Sequence, residues 1–447
     1  MVGEAAGPLK RGFSCHLAME DDGESKKGEV RPPCSCEDST DQPAACTVAK
    51  PLLKSGILSA LLVLLLLVHV SVGLRMQRVP HPDEYWTISK LLASSGQLVW
   101  GTILKNDNHP PFYYLLSKGW IALTGATIPH LRWLSFLFTS LTLFFVAWIY
   151  RRHPRFEVAV VLVLFGTNPL LTYFSATVRP YSLVVLLATV MTWSALQLRR
   201  GHSIGAEPEA AVAGRTAGTD PNGRRVWALL YYGSALLLGL THYFGTLYVL
   251  IATCLDFLSR RIERSPWKGM LLLLLISVWP LLQILTGTLD QQAEANSWVN
   301  VYPLISTVNN FLAGVFPLLI ISRTPQLGFG VVLALVLLLL ALRPVLQSAG
   351  LRRTGTRSWL VSLLDSDAAF LVALNAAVVA AGCIADALIP FTTPYYFLVC
   401  LPAVTILLGR LLSVTWRDRF SGGLCLFLTL GIVALQIQLA HLRLSLP

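Results

Sequence analysis

Two acidic clusters interrupt an otherwise apolar chain: His81-Pro82-Asp83-Glu84-Tyr85-Trp86 and, further on, Asp107-Asn108-His109-Pro110-Pro111-Phe112-Tyr113-Tyr114. A carboxylate at a membrane surface can accept the proton of a hydroxyl nucleophile, and partial burial beneath aromatic rings raises its pKa toward that task. Asp83 and Glu84 read either as such acids or as solvated loop residues, one of them paired with Lys90. Asp107 and His109, two residues apart, suit three roles: ligation of Mg or Mn together with Asp83, orientation of a sugar, or an Asx turn ahead of a helix. The turn is preferred to metal ligation, so no metal ligand is assigned and a divalent cation stays open.

Further along, Ser175-Ala176-Thr177-Val178-Arg179-Pro180-Tyr181 sets an arginine at the mouth of an apolar segment. Its planar fork suits a phosphate at the membrane surface; the plainer role is contact with lipid headgroups. His242, in Leu240-Thr241-His242-Tyr243-Phe244-Gly245, falls in a very short turn where an interfacial histidine is the ordinary expectation. Asp290, Glu294, Asn375 and Asp386 are further polar residues in or near apolar segments, and acids there hint at function.

The elements that must hold these residues are membrane helices. Of 447 residues, 54% are hydrophobic and 13% charged, and the mean hydropathy is +0.61; no ordinary soluble protein has this balance. The net charge of +11 is gathered into short clusters flanking the apolar segments, without a groove-sized patch, which argues against nucleic acid. Residues 1–51 are polar, lack both hydrophobic periods and contain Cys15, Cys34, Cys36 and Cys46; a disordered cytoplasmic tail with reduced thiols is expected. The remainder, 52–447, reads as one transmembrane domain. Apolar segments fall at 57–74, 133–150, 156–170, 181–198, 226–240, 244–258, 267–286, 329–342, 368–388, 395–412 and 422–439, giving an all-α, polytopic membrane protein of about 11 spans.

Placing Lys50 and Lys54 inside and alternating from there puts the strong basic clusters on one side, as the positive-inside rule requires. The loop 75–132, the segment 168–180, the turn at His242 and the turn 390–394 then share the extracytoplasmic side. In loop 75–132, residues 111–120 have the Tyr, Trp and Lys composition of an interfacial helix, started by Pro110 and Pro111. The longest opposite loop, 201–225, is rich in Ala, Gly and Thr and reads as a connector. No internal repeat is evident, and no extended α/β segment is present to hold a nucleotide sugar.

In this order the motifs resemble the dolichyl-phosphate-mannose protein mannosyltransferase superfamily, including the bacterial lipid A aminoarabinose transferase type, of GT-C architecture. The similarity runs over most of the chain after Lys54. It is carried by Asp83-Glu84 after the first span, Asp107 to Tyr114 before the second, Arg179-Pro180-Tyr181-Ser182-Leu183, Thr241-His242-Tyr243-Phe244-Gly245, and Phe391 to Pro402. Each motif is weak alone; the ordered set is more specific.

The resemblance implies a multi-pass hexosyltransferase in the endoplasmic reticulum or a bacterial plasma membrane. It would move a sugar such as mannose from a polyprenyl- or dolichyl-phosphate carrier to a protein, lipid or glycan acceptor on the extracytoplasmic face. By matching position Asp83 is the catalytic acid with Glu84 beside it, Asp107 and His109 form the second acidic patch, and Arg179 is associated with the carrier phosphate. Tyr181 and His242 join the substrate site. The chain departs from bacterial relatives in two places: Thr177-Val178-Arg179 stands where they carry Glu-Ala-Arg, and Pro394-Tyr395-Tyr396 where they carry Pro-Arg-Tyr. The missing cation implies a phosphate held instead by Lys105, Lys118 or Arg132, a different sugar, or a scaffold without activity. A transporter or lipid scramblase is the rival outside the enzymes; it calls for paired charges at mid-membrane, whereas these polar residues gather at one face.

Overall fold

The computed structural model describes residues 52–75, 82–92, 97, 107, 109–150, 155–203, 221–259, 266–286, 303–315, 367–388 and 392–415. The described part is 90% helical and contains no strand. Among the described residues four helices are long and apolar enough to cross a membrane: Ile128–Tyr150, Tyr181–Arg200, Trp267–Leu285 and Asp367–Ala387. This is consistent with an all-α membrane protein. The expected tail 1–51 and the expected segments 329–342 and 422–439 lie outside the described residues, as do Asp290, Glu294 and Lys105.

The helices run in the order α1 Leu52–Arg75, α2 Pro82–Leu91, α3 Phe112–Thr124, α4 Ile128–Tyr150, α5 Arg155–Gly166, α6 Pro169–Phe174, α7 Tyr181–Ser203 and α8 Pro221–Gly239. Then come α9 Tyr243–Ser259, α10 Pro266–Leu285, α11 Pro303–Val315, α12 Asp367–Leu388, a 3-10 helix Pro394–Cys400 and α13 Leu401–Thr415. The central helix is α7, packed against α4 and α8, with α1 lying over α4 and α5. Its residues Val184, Val185, Ala188 and Leu196 are buried in one continuous apolar core with Leu143, Phe165, Tyr248 and Phe397.

Two expected spans are divided by local chemistry. The segment 156–170 stops at Gly166, where twelve helical residues reach about 18 Å, well short of the roughly 30 Å of a hydrocarbon core. The cause is Asn168-Pro169: the Asn168 carboxamide oxygen caps the backbone N–H groups of Leu170 and Leu171, 3.0 Å from each, and Pro169 opens the new helix α6. The segment 395–412 likewise begins as the 3-10 helix before α13 continues it. The helix expected over 111–120 is present as α3, with Pro111 at its N-cap and Gly125 ending it at φ 89°, a left-handed conformation that suits glycine.

At the far end of α7 two arginines bind other helices of the bundle. Arg199 is buried, hydrogen-bonds Ser259 at 3.1 Å and lies over the Phe370 ring, while Arg200 pairs with Asp367 at 3.0 Å. At the other end, Asp386 accepts hydrogen bonds from the hydroxyls of Thr307 and Thr392 and from the Thr392 N–H, joining α11 and α12 to the entrance of the 3-10 helix. Asn375 donates to the Leu371 carbonyl of its own helix at 2.7 Å, so it serves local structure.

The contact between α11 and the 3-10 helix leaves no room for a side chain at Gly314, where a Cβ would stand 2.3 Å from the Pro394 carbonyl oxygen. Gly119, in α3, has nothing within 4 Å of the same position. Gly314→Ala should therefore lower the thermal unfolding midpoint in detergent, by overpacking worth about 1–3 kcal/mol. Gly119→Ala should leave it unchanged or raise it, because alanine is the better helix former.

Candidate functional site

Helix α2 has its polarity reversed relative to an ordinary surface helix. Glu84, Thr87, Lys90 and Leu91 are buried, while Tyr85 and Trp86 are 56% and 60% exposed. A spacing of three residues keeps 84, 87 and 90 on one face, so the sequence aims a carboxylate, a hydroxyl and an ammonium inward and turns its aromatic rings outward. Aromatic rings are suited to a membrane interface, and the Trp86 ring also receives the Lys90 ammonium at 4.8 Å.

Glu84 is neither in a loop nor solvated, and it does not pair with Lys90. Its carboxylate takes the Arg132 guanidinium in a two-point contact, Nε at 2.9 Å and Nη2 at 2.7 Å, and accepts the Val178 N–H at 2.9 Å. These bonds tie α2 to the start of α4 and to the corner between α6 and α7. Arg132, one of the cations expected as a substitute phosphate ligand, instead binds Glu84. Lys118, another, donates to the Leu91 carbonyl at 2.7 Å.

Lys90 reaches Asp107 instead. Oδ2 of Asp107 accepts from the Lys90 ammonium at 2.5 Å and from the Tyr114 hydroxyl, and Oδ1 accepts from the backbone N–H and Nδ1 of His109 at 3.0 and 2.9 Å. The contact to the His109 N–H is the expected Asx turn, here part of a larger buried assembly. The Asp107 carbonyl accepts from Gln283 near the end of α10 at 2.6 Å, and the Phe112 N–H donates to the Leu240 carbonyl at 2.9 Å. Burial pushes the Asp107 carboxyl upward, but His109 and Lys90 outweigh it and hold the group well below the usual carboxylate range. Burial lowers the Lys90 ammonium; Asp107 opposes that, and the nearby Arg179 charge adds to it. Burial, with the Asp107 charge beside it, raises the Tyr114 phenol.

His242 closes the assembly from the turn between α8 and α9. It is buried, its Nδ1 accepts the Phe244 N–H at 3.1 Å, and its ring lies 5.1 Å from that of His109, 5.5 Å from Tyr181 and 5.0 Å from Tyr396. Desolvation, then the His109 and Arg179 charges, hold it well below the ordinary histidine value, with Asp107 pulling the other way. It is thus a buried neutral imidazole at pH 7, not an interfacial one. Arg179 is partly buried and its Nη1 lies 3.3 Å from the Thr87 hydroxyl. Tyr395 packs its ring against Tyr181 at 4.9 Å and Phe174 at 5.7 Å.

The structure thus brings together Glu84, Asp107, His109, Arg179, Tyr181 and His242 at one end of the helices. Asp83 belongs to α2, but its side chain and the whole of Lys105 lie outside the described residues. Among the described residues no group of three or more His, Cys, Asp or Glu side chains could hold a metal ion. Sequence reasoning missed Tyr114, Gln283, Tyr396 and His69 as parts of this end. The signal for Gln283 and His69 was present, since each is a polar residue inside an apolar run. The chain matches no protein-family model and no curated protein sequence.

Asp107→Asn leaves the buried Lys90 ammonium without its counter-charge and should cost about 3–5 kcal/mol of stability. Adding Lys90→Met should recover much of that loss in thermal unfolding. Because the Asp107 carboxyl is held below its unfolded value, its stabilisation is complete above about pH 4 and fades as the pH falls further. Acidification below that point should therefore destabilise the wild type more than the double variant.

Proposed function

We propose that this chain is an integral membrane glycosyltransferase of GT-C type. In this reading it takes a sugar, a hexose such as mannose, from a polyprenyl- or dolichyl-phosphate carrier and transfers it to a protein, lipid or glycan acceptor. The site faces the extracytoplasmic side of the endoplasmic reticulum or a bacterial plasma membrane, and the apolar segments form about 11 spans. The observation that carries the reading is convergence. Motifs far apart in the chain, at Glu84, Asp107 to Tyr114, Val178 to Tyr181, His242 and Tyr395-Tyr396, meet through buried polar and aromatic contacts at one end of the helices.

The chemistry is a displacement at the anomeric carbon. The acceptor hydroxyl oxygen forms the new bond to that carbon and gives its proton to the Asp83 carboxylate; the bond from the carbon to the phosphate oxygen breaks, and the carrier phosphate departs with the electron pair. Arg179 offsets the charge gathering on the leaving phosphate, with the Lys90 ammonium nearby. The aromatic rings of Tyr181 and Tyr396 wall the sugar side, and His109 and His242 supply polar edges.

One observation favours a second reading, a GT-C scaffold without activity. Asp107 takes four protein donors and Glu84 takes three, so both acids are engaged by the protein and the catalytic role rests on Asp83. Transfer of labelled sugar from a polyprenyl-phosphate donor, by purified protein in lipid, tests both. Asp83→Asn should reduce turnover by about 10²–10⁴-fold while the folded protein still binds donor. Folded wild-type protein that neither binds nor consumes any such donor would overturn the transferase reading in favour of the inactive scaffold or a transporter.

A further inference from the structure

Outside the site itself, the most informative buried polar group is His69 in α1. It is 1% exposed, within a helix whose other residues are almost all apolar. A polar side chain in such a setting must find partners within the protein, and His69 finds two chain ends. Its Nε2 lies 3.0 Å from the carbonyl of Gly166, the last residue of α5, and its Nδ1 lies 2.9 Å from the hydroxyl of Ser175, the residue that closes α6. A carbonyl only accepts, so Nε2 carries the proton, and Nδ1 is left facing the serine. Ser175 Oγ also lies 2.7 Å from the Thr172 carbonyl, so its single proton is shared between two acceptors, that carbonyl and Nδ1.

Packing repeats what the hydrogen bonds do. A Cβ at Gly166 would meet the Leu65 side chain at 2.8 Å, and one at Gly73 would stand 3.9 Å from the Ala176 Cβ. Leu65, His69 and Gly73 are spaced by four residues, so they form one stripe of α1. That stripe follows the corner from the end of α5 to the residues just before Thr177. From there, the Thr177 carbonyl accepts the Ser135 hydroxyl at 2.6 Å and the Val178 N–H is held by Glu84. Arg179 comes next. His69 and Arg132, the partner of Glu84, also line the same cavity of about 50 Å³, so the two braces on this corner flank one small space.

We propose that His69 is a positioning residue: a polar staple on the first span that holds the α6–α7 corner so that Arg179 is presented to the carrier phosphate. This rests on the sugar-transfer reading above. The staple acts through the backbone of Ser175 to Val178, and it complements Glu84, which grips the same corner from the other side.

Hydrogen exchange and donor kinetics on full-length protein in lipid nanodiscs test the two halves separately. His69→Leu keeps the apolar character of α1 and removes both hydrogen bonds, whereas His69→Gln can restore a donor to Gly166 and an acceptor to Ser175. The leucine variant should speed amide exchange over residues 175–181 without altering residues 135–147 of α4. It should raise the KM for polyprenyl-phosphate sugar by about tenfold with little change in kcat, and glutamine should recover part of both effects. In an Arg179→Gln background, His69→Leu should add almost nothing, because both changes remove the same interaction. Unchanged exchange overturns the staple; an unchanged KM, or effects that multiply with Arg179→Gln, overturns its link to the phosphate. Wild-type protein that transfers no sugar sinks the parent reading, and exchange then still decides whether His69 holds the corner.

Discussion

Everything at this end of the molecule depends on a buried negative charge that must be neutralised where it stands. A bare carboxylate removed from water costs many kcal/mol, so Asp107 can be ionised only if donors surround it in good geometry. Those donors come from Lys90 on α2, His109 and Tyr114 around the start of α3, while Gln283 of α10 takes the carbonyl of the same residue. Four stretches of chain are consequently fixed relative to one another by one residue. Moving any of them exposes a charge to an apolar surrounding, and that cost makes the arrangement specific.

The second carboxylate extends the same logic outward. Glu84 lies six residues before Lys90, also on the buried side of the helix, and anchors α4 and the α6–α7 corner through Arg132 and Val178. α2 therefore works as a short strut on which Glu84 and Lys90 are each matched by an opposite charge elsewhere in the chain. Its outward aromatic residues leave the apolar cost small, since rings are at ease in lipid or at its surface. A strut of this kind needs an apolar bundle behind it. The core around α7 supplies it, with Val185, Ala188 and Leu196 fully enclosed.

How much of this was legible in the sequence follows from which signals are local. Helices are announced by runs of apolar residues, and so α4, α7, α10 and α12 lie close to their expected bounds. The interruption at Asn168-Pro169 was equally local, yet it was read as the edge of a span because hydropathy averages over a capping residue. Asp107 and His109 were visible as a pair, and their turn was foreseen. Their surroundings were not, because Lys90, Tyr114 and Gln283 reach them only through the fold. The pairing of Glu84 with Arg132 spans 48 residues and has no short-range signature. His69 shows the opposite failure: a single polar residue in a long apolar helix was easy to see and easy to pass over, although its desolvation alone demanded partners.

The saturation of these acids also governs how a loss of activity should be interpreted. A carboxylate engaged by three or four protein donors has little acceptor capacity left for a substrate, and removing it takes a counter-charge from a buried cation. Loss of function on changing Glu84 or Asp107 would follow from the collapse of the strut whether or not either acid touches a reacting atom. A general base must instead keep an acceptor free until the substrate arrives, and its replacement by an isosteric amide should leave the fold in place. Position on the sequence motif cannot separate these two kinds of acid, since Asp83 and Glu84 are adjacent.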